Sequence, residues 1–84
     1  MDVVTEQVTL ENQEEARALT GTRDEHLRRV RDAFGIRVSM RSGVITLGGS
    51  PATVQQAATA IGQMRDIVRE RGMLMGTEVD AVID

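Results

Sequence analysis

The chain has 84 residues, 40% of them hydrophobic, which is enough for one small domain and too little for two. It has no cysteine and a single histidine, so a disulfide framework is excluded and a zinc site is disfavoured. All ten basic residues are arginine, which excludes any site that needs a lysine as phosphate ligand, nucleophile or general base. We therefore expect no catalytic, cofactor-binding or metal-binding residue and predict that the chain is not an enzyme.

The charge is distributed unevenly along the chain, although the net charge is only −3. Residues 1–20 have a net charge of −4 and residues 42–84 one of −2. Residues 21–41 combine six arginines with three acidic residues and have a net charge of +3. Such a basic stretch indicates either a patch that binds an anionic partner or an arginine-rich helix face in water. The acidic total argues against a general polyanion binder, whose surface is usually strongly basic.

The first part of the chain predicts one strand and two helices. Residues 3–10 are rich in β-branched side chains and favour a strand. Residues 11–20 favour a helix, because acidic side chains crowd the turn where the helix dipole stabilises them. Gly21 is expected to end this helix in a left-handed conformation. Thr22 and Glu25 have the spacing of a capping box, which predicts the start of a second helix.

A β-hairpin is predicted for the middle of the chain. Residues 36–41 alternate apolar and polar side chains, which is the two-residue period of a half-buried strand. A turn at residues 42–43 and a return strand over residues 44–47 complete the hairpin. The register that places the apolar side chains of both strands on one face pairs Met40 with Ile45, and a shift by one residue would expose them.

A long helix and a short one are predicted to follow. Ser50 and Pro51 favour a helix start, and the helical pattern continues to about Arg71. Residues 77–83 predict a final helix, capped by Thr77, that is too short to be stable unless it packs against another element. The inward face of the long helix is predicted to consist of Val54, Ala57, Ala58, Ile61, Met64 and Val68.

The order β-α-α-β-β-α is that of a type I KH domain, an α+β fold in which helices cover one face of a three-stranded sheet. The stretches LTGTRDEHLRRVRDAFGIRV, ITLGG and TEVDAVI resemble the N-terminal KH-like domain of PhoH-family proteins. The resemblance covers residues 3–83. It implies a KH-like domain over residues 1–72, followed over residues 73–84 by a linker and a short helix that lead toward an ATPase domain.

In that family the KH-like module precedes a P-loop ATPase domain linked to RNA metabolism and ribosomal RNA maturation. The resemblance implies that ATP and Mg²⁺ bind only in such a domain, because a chain without lysine has no P-loop. It also implies three partners: single-stranded RNA, the ATPase domain itself, or a ribosomal-RNA-processing ribonuclease. The sequence has no apolar run of bilayer length and no signal-peptide core, so we expect a cytoplasmic protein without a membrane partner.

A KH domain grips a single strand of nucleic acid through a G-x-x-G loop, whose backbone approaches the phosphates. Gly21 matches the first glycine of that loop, Thr22 and Arg23 match the variable pair, and Asp24 replaces the second glycine. An acidic residue there hinders close backbone approach and adds a like charge that faces the phosphate. The predicted nucleic-acid-binding residues are Gly21, Thr22, Arg23, Arg28, Arg29, Arg37 and Arg41.

Other interpretations of the same residues stay open. The glycine turn is also explained as a helix end followed by a helix start, and the arginines at positions 28, 29, 31, 37 and 41 as a solvated face. Residues 35–61 resemble a BON-like domain, a family associated with membranes or cell envelopes. An exposed strand edge and a final apolar helix would equally suit a domain for homo-oligomerisation or for docking another protein.

Overall fold

The computed structural model describes residues 2–84 and confirms the predicted α+β fold. A three-stranded antiparallel sheet and four α-helices follow the predicted order, with the short helix last, and the arrangement is consistent with a KH-like fold. Among the described residues, no helix is both long and apolar enough to cross a membrane. The elements are β1 (Val4–Thr9), α1 (Gln13–Thr20), a short 3₁₀ turn (Thr22–Asp24), α2 (Glu25–Phe34), β2 (Arg37–Arg41), β3 (Val44–Gly49), α3 (Pro51–Arg71) and α4 (Gly76–Ile83).

The sheet has the strand order β1-β3-β2, so β3 is central and the other two strands are edges. Met40 pairs with Ile45 and Val38 with Leu47, which confirms the predicted register of the hairpin. The hairpin turn has positive φ angles at Ser42 (53°) and at the glycine after it (77°), and this backbone twist matches that of the flanking strands. The apolar residues of β2 and β3 therefore share the face that the helices cover.

The hydrophobic core lies between the sheet and the helices that pack on this one face. α3 packs against β1 and β3, and α2 packs against β2. The prediction for α3 needs one correction: Ala60 is buried and Ala58 is only half-buried, because α4 lies beside α3 and covers the Ala60 side. The largest fully buried side chains are Leu19, Val30, Ile45, Leu47, Val54, Ile61, Met64 and Val79.

Helix α4 packs against both α2 and α3. Its Val79 side chain is completely buried in the shared core. The predicted Thr77 cap is wrong, because the helix already begins at Gly76. The backbone N–H of Met75 donates to the carboxylate of Glu78 (3.0 Å), which closes the first turn in place of a threonine cap. The packing that so short a helix requires is thus provided by α2 and α3.

A buried carboxylate ties α1 to α3. Asn12 accepts a hydrogen bond from the backbone N–H of Glu15 (2.8 Å), so α1 starts at Gln13, two residues later than predicted. The Glu15 side chain is 6% exposed and accepts hydrogen bonds from the Glu11 N–H (2.6 Å) and from Arg69 Nε (2.6 Å). The hydrogen bond from Arg69 holds the pKa of the Glu15 carboxyl below its usual value. The ionised form of this residue therefore helps to hold α1 in place.

Candidate nucleic-acid interface

The turn between α1 and α2 has an uncommon backbone. Gly21 has φ 76° and ψ 177°, a combination that is essentially restricted to glycine, and not the left-handed conformation predicted. Arg23 (φ 54°) and Asp24 (φ 58°) follow in the left-handed region. A Cβ atom on Gly21 would lie 3.0 Å from the ring of His26, whose Nδ1 is 3.0 Å from the carbonyl oxygen of Leu19. The fold itself therefore requires glycine at this position.

The predicted capping box is not formed at this turn. Thr22 makes no capping hydrogen bond through its side chain, and α2 begins at Glu25. The two left-handed residues before α2 reorient the chain, so Thr22 lies too early to cap the helix. The carboxylate of Glu25 pairs instead with Arg29 (3.0 Å), one helical turn further on. The turn thus has the length of a G-x-x-G loop and a backbone set by residues 21, 23 and 24.

A groove runs past this turn on the side of the β2–β3 hairpin. Its wider part has a volume of about 730 Å³ and lies between α1, the α1–α2 turn and the hairpin turn. Its narrower part, of about 230 Å³, lies between α2 and β2. Asp24 and Met40 line both parts, so the two cavities adjoin at these residues, which we call the waist of the groove. Its apolar lining includes Leu10 and Ala16 in the wider part and Leu27 and Val38 in the narrower part.

Arginine side chains line the groove, and their positive charge exceeds the acidic charge only in its narrower part. Arg28 and Arg31 line the narrower part, and Arg17 lines the wider part. Arg28 donates a hydrogen bond to the backbone carbonyl of Arg23, which ties α2 to the turn. Arg31 Nε lies 2.9 Å from the carboxylate of Asp32, an ion pair that is exposed on both sides. Since the three lining arginines are exposed to solvent, an anionic partner can reach each of them.

The predicted binding residues divide between the groove and other surfaces. Gly21 lines its wider part, Arg28 lines its narrower part, and Arg23 contacts Arg28 through its carbonyl oxygen. Thr22 lines a separate cavity, together with His26, on another side of the turn. The turn and the first part of α2 therefore bring together three of the seven predicted residues.

Arg29 lies outside the groove, in an ion cluster between α2 and α4. Its Nη1 atom lies 2.8 Å from both carboxylate oxygens of Asp80, and its Nη2 atom lies 3.0 Å from Glu25. The hydrogen bonds from Arg29 to Asp80 and to Glu25 raise the pKa of the guanidinium. We call Glu25, Arg29 and Asp80 the α2–α4 ion cluster. It places the charge of Arg29 toward α4.

Arg37 and Arg41 lie on the face of the sheet that carries no helices. They alternate along β2 with Val38 and Met40, which line the groove, and successive residues of a strand point to opposite faces. Arg37 pairs with Gly48 of the central strand on this outer face. Both arginines are exposed, and neither lines the groove.

The sequence provides no reason to single out two of the groove residues, Arg17 and Met40. Met40 occupies the inward position that the strand pattern predicts, yet it is 38% exposed, because it lines the opening that the helices leave over β2. Arg17 is the single basic residue of the acidic segment 1–20. The net charge of that segment therefore gives no indication that Arg17 lies beside the turn. Neither residue carries a local signal, since both depend on how α1 packs over the sheet.

Among residues 2–84, no cluster of three or more histidine or acidic side chains could hold a metal ion. Neither a protein-family model nor a curated protein sequence matches the chain.

Proposed function

We propose that the chain is a non-catalytic KH-like module of a PhoH-like ATP-binding protein, and that it binds single-stranded RNA along the groove. The observation that supports this most directly is the groove formed by the two adjoining cavities between the Gly21–Asp24 turn and strand β2. It combines an apolar lining with exposed arginines at its sides. Unstacked bases need such an apolar surface, and the phosphates that link them need positive charge.

The dimensions of the groove suit unpaired nucleotides. Its wider part, of about 730 Å³, falls within the size range of pockets that enclose a small organic ligand. The single aromatic residue, Phe34, is half-buried and lines a different cavity, beside α3 and α4. Bases would therefore contact aliphatic, methionine and arginine side chains instead of an aromatic platform. We accordingly expect weaker binding than that of modules that stack bases on aromatic rings.

The acidic residues of the turn restrict the path of the phosphates. Asp24 and Glu25 repel phosphate at the start of α2, where a KH loop would normally hold it. Arg28 and Arg31 lie further along α2 and line the narrower part of the groove. We propose that the phosphates follow these two arginines and that the bases point toward Met40.

Fluorescence anisotropy of a labelled single-stranded RNA, titrated with the protein at low and moderate salt, tests this proposal. We expect saturable binding that weakens steeply with salt, because each phosphate contact releases counterions. Arg31→Gln should lower the affinity roughly threefold to tenfold and reduce the salt slope by about 1. Arg71→Gln removes the same charge at the end of α3, away from the groove, and should change neither quantity. Absence of binding at high micromolar protein would contradict the proposal.

A second candidate function is the docking of a protein, specifically the ATPase domain of a PhoH-like protein. It is favoured by the connection between α3 and α4, where Met73 and Met75 are 54% and 52% exposed on either side of the buried Leu74. Methionine side chains adapt their shape to a partner surface. If this is the main role, a separately purified ATPase domain should bind the chain and lose affinity on Met73→Gln, while RNA should not bind.

A further inference from the structure

Asp24 is a groove residue whose charge is offset by no ion pair within residues 2–84. It lines both parts of the groove at the waist, opposite Met40. Within residues 2–84, its carboxylate forms neither an ion pair nor a hydrogen bond, and the residue is exposed. Its backbone is left-handed, with φ 58°. A side chain in this conformation costs backbone free energy that a second glycine would avoid. The acid thus has a cost both in strain and in phosphate repulsion.

A carboxylate at this point can read the edge of a base. It offers two acceptor oxygens and no donor, so it complements a base edge that presents two neighbouring donors. The Watson–Crick edge of guanine does so, with N1–H beside the N2 amino group. Adenine and cytosine present one amino donor beside an acceptor nitrogen, and uracil presents one N–H between two carbonyl oxygens. In these three bases an acceptor faces the second carboxylate oxygen and repels it.

Met40 provides the surface on which such a base can rest. Its side chain is 38% exposed at the waist, although it lies on the inward face of β2. A thioether makes favourable contacts with aromatic rings, and no aromatic side chain of the chain lines the groove. The waist therefore combines a polarizable platform with an unpaired double acceptor.

We propose that the waist selects guanine, so that the RNA ligand of the groove is a single strand with an unpaired guanine. The inference rests on the proposed RNA binding and names its specificity. Asp24 accepts hydrogen bonds from N1–H and the N2 amino group, and Met40 supports the face of the ring. Arg28 and Arg31 hold the neighbouring phosphates. Asp24, which replaces the second glycine of the G-x-x-G loop, is then the residue that determines specificity.

The test compares three labelled oligonucleotides by fluorescence anisotropy: UUUGUU, the same strand with inosine in place of guanine, and all-uridine. Inosine lacks only the N2 amino group, so it removes one of the two hydrogen bonds. We expect the guanine strand to bind about fivefold more tightly than the inosine strand. We expect a preference of roughly tenfold or more over uridine.

Two variants of Asp24 isolate its role. Asp24→Asn keeps the shape and tolerates a left-handed backbone, but it replaces one acceptor oxygen by a donor, so the preference for guanine over inosine should vanish. Asp24→Gly restores the second glycine of the loop. It should bind the all-uridine strand more tightly than the unmodified protein does, because the phosphate repulsion is removed, and it should show no preference between guanine and inosine. Asp66→Asn, on α3 and outside the groove, removes the same charge and should retain the preference.

The outcomes distinguish this inference from the proposed function. Equal binding of the guanine and inosine strands would overturn guanine selection and leave RNA binding in place. The same holds if the preference survives Asp24→Asn. Failure of all three strands to bind would overturn the proposed function and guanine selection together.

Discussion

The two sides of α2 put the same kind of side chain to different use. On the groove side, Arg28 and Arg31 are exposed beside an apolar opening, and within residues 2–84 Arg31 forms an ion pair only with the neighbouring Asp32. On the α4 side, Arg29 is held by both oxygens of Asp80, 51 residues away in the sequence, and by Glu25. The arginines on the groove side are accessible to an anionic ligand, whereas Arg29 on the α4 side forms ion pairs that link α2 to α4.

This difference shows that the count of charges on a helix does not measure its capacity to bind an anion. Positions 28 and 29 differ by about 100° around the helix axis, which is enough to turn one side chain to the groove and the other to α4. What decides between the two roles is the acid that the rest of the fold brings close. Variants that disturb one side of α2 and spare the other test the distinction.

The largest effect is expected for Gly21→Ala, which breaks the turn on the groove side. Alanine would have to adopt φ 76° and ψ 177°, and its Cβ would lie 3.0 Å from the His26 ring. We expect the free energy of unfolding to fall by about 2–3 kcal/mol, as measured by urea denaturation followed by circular dichroism. RNA affinity, measured where the variant is folded, should fall as well, because the turn lines the groove.

Gly62→Ala is the matched control for this variant. Gly62 lies inside α3, and a Cβ atom there would meet no atom within 4 Å. Alanine at that site should raise the free energy of unfolding by about 0.5–1 kcal/mol, because it favours the helix more than glycine does. If the two variants were equally stable, the backbone described for the turn would be wrong.

A smaller effect is expected for Glu15→Gln, which loosens the α1 wall of the groove. The glutamine keeps an acceptor for the Glu11 N–H but loses the charge that binds Arg69, a side chain that is itself 39% exposed. We expect a loss of about 1–2 kcal/mol in the free energy of unfolding near neutral pH. Glu14→Gln, at the exposed neighbouring position, should have little effect.

The pH dependence of the free energy of unfolding provides a second test of the Glu15 ion pair. Because the pKa of Glu15 is lower in the folded state than its usual value of 4.5, its contribution is present above that value and is lost as the pH falls through the folded-state pKa. The stability difference between the unmodified protein and Glu15→Gln should therefore shrink as urea denaturation is repeated at increasingly acidic pH. A difference that stays constant would mean that the carboxylate charge does not contribute.

Local patterns in the sequence were sufficient for the order of elements and for the hairpin. The register of β2 and β3 follows from two facts that agree, the alternation over residues 36–41 and the two-residue turn after them. The helix caps were harder to predict. The prediction for Thr22 failed because Arg23 and Asp24 adopt positive φ angles, which no propensity of these residues demands. The Thr77 cap failed because Glu78 already satisfies the N–H of Met75.

The candidate site was predictable only in part, and for a related reason. The sequence locates the glycine turn and the arginine-rich helix, which are contiguous. It does not show that Met40 stays open between the helices, nor that α4 brings Asp80 to Arg29. Both facts arise from tertiary packing of segments that lie far apart in the chain. Which arginines of α2 remain accessible to a ligand therefore follows from the packing of the helices and not from the sequence of α2 alone.

The smallest effect on stability is expected for Asp80→Asn, and this variant tests the comparison most directly. It removes the acceptor that holds Arg29, but Arg29 and Asp80 are 36% and 57% exposed, so solvent already screens their attraction. The shift of the urea midpoint should be smaller than for Glu15→Gln. RNA affinity and its salt slope should match those of Asp66→Asn, which changes the net charge equally. If the salt slope instead rises by about 1, then the freed Arg29 reaches a phosphate and the α4 side of α2 belongs to the interface. In that case Asp80 of α4 would compete with RNA phosphates for Arg29. Both sides of α2 could then bind RNA, and they would differ only in whether an acidic residue of the chain already occupies the arginine.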